Sequence, residues 1–147
     1  VTDAAVLNAT ARVRQLIDLT DRLTARLVEE AAAFESHRPQ DVAATLAATQ
    51  DLANAYRRES ARVKADPASI APAPLAERNA LIKATETFEG ILTRHSRAIE
   101  AARVVSEGLV RTIAEEVAGQ RVSPSAYGAS GRANAGDSRA VTFNRMA

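Results

Sequence analysis

Two histidines, no cysteine and a few adjacent carboxylates are all that this 147-residue chain offers for acid–base or metal chemistry. His37 stands two residues before Pro39, and His95 lies inside a long helical pattern. A di-iron helical bundle needs Glu-x-x-His on two facing helices, and the sequence contains no Glu-x-x-His. A zinc site built from two histidines plus carboxylates finds no support in ligand spacing. His95 therefore reads as a partly buried bundle residue hydrogen-bonded to a neighbour. Glu29-Glu30 and Glu115-Glu116 read as solvated helix carboxylates. Without a thiol there is no cysteine nucleophile, thiolate site or disulfide. The expectation is no catalytic residue, no metal site and no cofactor, hence not an enzyme.

Other short matches carry no chemistry. Gly128-Ala-Ser-Gly131 has the GXXG form of an RNA clamp, but that fold needs strands and the chain shows no period-two apolar run. No Gly-Lys-Ser/Thr follows to make a phosphate loop. Asn8-Ala-Thr10 is a glycosylation sequon placed inside a helical pattern. The net charge of +1 is too small to argue for nucleic acid, and none is expected as a partner. No stretch approaches the roughly 20 apolar residues that span a bilayer, and no signal segment is visible at Val1-Thr-Asp-Ala. The expected location is the cytoplasm, without membrane insertion.

What could position a binding surface is helical. Apolar residues make up 46% of the chain and aromatics only 3%, a composition suited to narrow seams between helices. Thr2 or Asp3 caps a first helix reaching Glu35. Val6, Val13, Thr20, Leu27 and Phe34 lie seven apart in it, with Ala9, Leu16, Leu23 and Glu30 as companions. Ser36-His-Arg-Pro39 turns the chain back. A second helix runs from about Pro39 to Ala65, with Val42, Leu46, Thr49, Leu52, Ala53, Tyr56 and Val63 inward. Pro67, Pro72 and Pro74 punctuate a connector. The third helix starts near Pro74 or Leu75 and continues to about Val117. Its inner series is Leu81, Phe88, His95, Ala102 and Leu109, with Thr85, Leu92, Ile99, Ser106 and Ile113 as companions. The fold class is thus all-α, an elongated antiparallel three-helix bundle, coiled-coil-like, over residues 1–120.

Residues 121–147 are composed differently. Ser123-Pro124 is expected to stop the third helix, and Gly128, Gly131 and Gly136 to keep the following backbone flexible. Against that background stand Tyr127, Val141, Phe143 and Met146. A segment of this kind is either a solvated terminus or a linear recognition segment that orders on a partner.

The helical hairpin, the longer third helix and the segment Tyr127-Gly-Ala-Ser-Gly131-Arg132 resemble the FlgN family of flagellar type III export chaperones. The run Ala140-Val141-Thr-Phe143-Asn-Arg looks like the short closing segment of alphaproteobacterial members. The resemblance implies a cytoplasmic chaperone for the hook–filament junction proteins FlgK and FlgL, delivering them to the export gate protein FlhA. It implies gate docking at Tyr127 and Gly131. It also implies client binding by the end of the third helix and the segment after it, with Val141, Phe143 and Met146 as apolar contacts. Physical reasoning adds that an exposed seam at Leu109, Ile113 and Val117 can accept an amphipathic client helix. A structural or signalling bundle, homodimeric through the same seams, is the alternative.

Overall fold

The computed structural model describes the backbone of residues 2–127 and the side chains of residues 2–120. Three α-helices account for most of them: α1, Asp3–Glu35; α2, Leu46–Ala65; and α3, Leu75–Tyr127. There is no strand among the described residues, so the fold is all-α. No helix in this part of the chain is long and apolar enough to cross a membrane. Two compact units divide the chain, Val1–Ala102 and Arg103–Ala147.

α1 begins where a threonine can cap it. The Thr2 hydroxyl accepts from the Ala5 N–H at 3.1 Å, satisfying one of the donors that a first turn leaves unpaired. At its other end the amide of His37 donates to the Phe34 carbonyl at 3.1 Å and that of Arg38 to the Ala33 carbonyl at 2.8 Å. These two bonds are the Schellman closure, and they require a left-handed residue at His37, whose φ is 57°. His37 therefore serves the turn through its backbone.

Within the first unit α1 is the central element. Ala9, Val13, Leu16, Thr20, Leu23, Leu27 and Glu30 are buried along it, as the heptad spacing requires. Ala73 in the connector closes over Ala9 and Val13, with Ile70 and Leu81 packed beside it. Leu23, Leu27 and Phe88 form a second cluster with Leu52, Ala53, Tyr56 and Ile91 around it. Thr20 is fully buried, and its hydroxyl donates to the Leu16 carbonyl at 2.7 Å, so its burial leaves no polar group unpaired.

Cross-helix pairs give the direction of travel. Arg14 meets Glu77, Glu30 meets His95 and Glu35 meets Arg94. Residue numbers rise together in these pairs, so α1 and α3 run parallel and α2 returns between them, up, down and up.

The structure corrects three expected registers. Residues Pro39–Thr45 form a 3₁₀ turn rather than the start of an α-helix. Three residues per turn carry Val42 and Thr45 inward and then Thr49, so Leu46 is left exposed. In α3 the companions of Leu81, Phe88 and His95 are Ala84, Ile91 and Ala98; Thr85 is half-buried as expected, whereas Leu92 and Ile99 are exposed. Small residues at 84 and 98 let the helix approach closely along that line, while Leu92 and Ile99 turn outward. α3 also continues through Ser123-Pro124 to Tyr127 instead of ending near Val117. Pro124 has no N–H to donate to the Gln120 carbonyl, and the helix ends within one turn of it.

Two exposed ion pairs fasten α1 to α3. Arg94 grips both carboxylate oxygens of Glu35, at 2.6 and 3.0 Å, and Arg14 reaches Glu77 Oε1 at 2.6 Å. The arginine hydrogen bond, with its charge, holds each glutamate below the ordinary carboxylate range. A depressed folded value means that the contribution is present above the unfolded value and lost as pH falls through the folded one. The Glu35→Gln/Glu77→Gln variant should therefore lose less thermal stability than the parent between about pH 6 and about pH 3. Parallel acid profiles for the two proteins would remove these pairs from the account of acid sensitivity.

Candidate protein-binding surfaces

In the second unit the described part is the continuation of α3, and it is exposed on every side from 103 to 120. Val105, Leu109, Ile113 and Val117 recur at i, i+4, i+8 and i+12, so they form one ridge along the helix. They are 57%, 59%, 52% and 43% exposed, and Val110 at 67% lies beside them. From Val105 to Val117 the ridge extends about 18 Å, a little over three turns, at 1.5 Å per residue. The flank is polar: Arg103 and Glu107 pair at 2.6 Å one turn apart.

Leu109, Ile113 and Val117 thus stand where an exposed seam was expected. Val105 was not among the expected residues, because the seven-residue template put Ser106 in its place. The i+4 spacing from Leu109 was the signal that could have found it. Burying four side chains that are each about half exposed is worth roughly 3–6 kcal/mol before association costs. By itself that supports weak binding.

Tyr127 is the last residue of α3. Gly131, Val141, Phe143 and Met146, the remaining expected contacts, lie outside the described residues.

In the first unit the polar feature is Glu30. Expected to be solvated, it is 5% exposed, because it occupies the companion position of the α1 heptad that also holds Leu16 and Leu23. Its Oε1 meets His95 Nε2 at 3.0 Å, which makes His95 the hydrogen-bonded bundle residue anticipated. Its Oε2 is buried with no partner among the described residues. Glu29, Glu115 and Glu116 are exposed as expected. No group of three or more histidine, aspartate or glutamate side chains suited to a metal occurs among the described residues.

Glu30 and His95 line one end of a cleft of about 570 Å³ whose walls are Leu23, Leu27, Ala53 and Phe88, with Leu46 and Leu92 also in its lining. A second cleft of about 430 Å³ follows along α1 at Leu16 and Thr20, and Tyr56 lines both. The Tyr56 and Phe88 rings meet at 4.9 Å with a 47° tilt. Side chains from all three helices line each cleft, so both are products of the tertiary packing.

Comparison with known proteins places the chain beside one relative over nearly its whole length. It is 48% identical across 146 residues to the flagellar basal-body protein FlbY of Caulobacter vibrioides, covering 97% of this chain and 98% of that protein. No protein-family model matches it, and no solved structure does.

Proposed function

Since the chain belongs to the family of the flagellar basal-body protein FlbY, we propose that it acts in flagellum assembly, as a cytoplasmic, non-enzymatic export chaperone of the FlgN kind. Its clients on this reading are the hook–filament junction proteins of the FlgK and FlgL type, and its delivery point is the gate protein FlhA. The observation that carries the proposal is the exposed ridge Val105–Leu109–Ile113–Val117. A junction-protein terminus is an amphipathic helix without its filament neighbours, and such a helix can lay its apolar face on a ridge of this spacing. The ridge hides the client's aggregation-prone stripe and makes or breaks no bond.

Gate docking falls to Tyr127. Tyr127→Ala should weaken affinity for the gate domain about 30-fold, the roughly 2 kcal/mol carried by an anchoring aromatic. Export of the client should fall, while client affinity and the unfolding of the first unit stay unchanged. Normal export by this variant would remove the gate role from Tyr127. Calorimetric titration of the intact chain with purified junction proteins tests the client role, and no binding to either would sink it. The alternative, a structural bundle that pairs with itself through the same ridge, predicts a tight dimer by light scattering that ignores junction proteins.

A further inference from the structure

The two clefts of the first unit follow one another along α1 from Leu16 to Glu30. Fourteen residues of helix make about 21 Å, the length of a four-turn helix laid beside them. Their floor, Leu16, Thr20, Leu23, Leu27 and Glu30, repeats at spacings of three and four, as a coiled-coil partner requires. An apolar groove of this shape has many conceivable occupants. The buried carboxylate narrows the choice.

The Glu30 side chain is 7% exposed, and only one of its oxygens is paired. A buried carboxylate oxygen without a donor is costly. None of the other donors lining that cleft reaches Oε2. The Thr49 hydroxyl donates to the Thr45 carbonyl at 3.1 Å, and both Gln50 Nε2 and Arg57 Nη1 donate to Asn54 Oδ1, at 3.2 and 2.9 Å. A donor carried into the cleft by a partner can fill that place. Because Oε2 lies beneath the surface, it has to arrive on a long side chain that enters the cleft. Lysine and arginine have such a chain, with an apolar stem that suits leucine and phenylalanine walls and a cationic head that suits a carboxylate.

We propose that this groove seats an amphipathic helix of a partner protein, with apolar side chains in the two clefts and one lysine or arginine donating to Glu30. The proposal rests on reading the chain as a helix-binding chaperone, and it gives that function a second contact, separate from the α3 ridge.

The test uses the intact chain and a designed four-turn helical peptide with leucine at every a and d position and one arginine. A second peptide carries norleucine in place of the arginine. The arginine peptide should bind about tenfold or more tightly than its counterpart, the strength of one charge-assisted hydrogen bond. Glu30→Gln, which keeps shape and removes charge, should abolish that preference. Leu46→Lys with Leu92→Lys changes two exposed side chains of the groove and leaves the fold standing; it should weaken both peptides about tenfold. Leu109→Asp with Ile113→Asp should leave the arginine preference as it was. Equal binding of the two peptides overturns the proposal, as does loss of binding in the ridge variant but not in the groove variant. The two readings fail separately. Junction proteins that bind the parent and the groove variant alike overturn the groove alone, whereas junction proteins that do not bind the parent overturn the chaperone function.

Discussion

Replacing Leu109 and Ile113 together by aspartate should lower affinity for junction proteins about 10²- to 10³-fold, with the first unit as stable as before. Each position lies in the middle of the ridge, where an anchoring side chain carries roughly 2 kcal/mol or more. Aspartate does more than delete the contact. It forces a carboxylate against the client's apolar stripe, where it loses hydration and gains no partner. Two such losses approach 4 kcal/mol if they add, and neighbouring anchors add incompletely, which sets the lower bound. The first unit has no stake in the change, because both side chains are more than half exposed and lie in the second unit. Titration calorimetry reads the affinity, and far-ultraviolet circular dichroism reads the helix content. Helix content should fall little, since aspartate costs about half a kcal/mol per site within a helix. Unchanged affinity in a well-folded double variant would strip the ridge of its proposed role.

A different kind of effect is expected at Phe88. Truncation to alanine should destabilise the first unit by about 3–5 kcal/mol, the range for a buried phenylalanine. That is a large share of the roughly 5–15 kcal/mol available to a small domain. Phe88 is 7% exposed and packs with Leu23 and Leu27 of α1 and with Leu52, Ala53 and Tyr56 of α2. Losing the ring also removes its tilted contact with Tyr56, worth about 0.5–1.5 kcal/mol beyond burial. Phe88→Leu fills most of the volume and should cost far less. Urea denaturation gives the comparison through midpoint and slope. If Phe88→Ala costs less than about 1 kcal/mol, this ring is not what binds α3 to the other two helices.

Much of the architecture was legible because helix signals are local. Thr2 caps, the prolines at 39 and 67 break, and the heptad through Val13, Thr20 and Leu27 is buried as its spacing demands. α1 was read most accurately since both its apolar series are crowded with large residues. α3 was read less well. Its true companions include Ala84 and Ala98, which a search for large apolar side chains passes over in favour of Leu92 and Ile99. Val105 likewise stands one residue before the seven-residue position, which falls on Ser106. Part of the expected site was legible too, as Leu109, Ile113 and Val117 form an exposed line. The rest of it, Gly131, Val141, Phe143 and Met146, lies outside the described residues.

By itself, then, the sequence determined that this protein is helical, where its first two helices are broken, and which stripe of α1 turns inward. Those properties depend on hydrogen bonds and spacings within a few residues of one another. Only the tertiary structure decided that Glu30 is buried with one oxygen unpaired, that Leu46 and Leu92 turn outward, and that α2 and α3 flank two clefts along α1. Adjacent stripes on a helix stand only 100° apart, and the sizes of facing side chains choose between them. A carboxylate in a heptad position reads the same whether water or a histidine on another helix will meet it. That difference is set across the 65 residues separating Glu30 from His95, where no local pattern reaches.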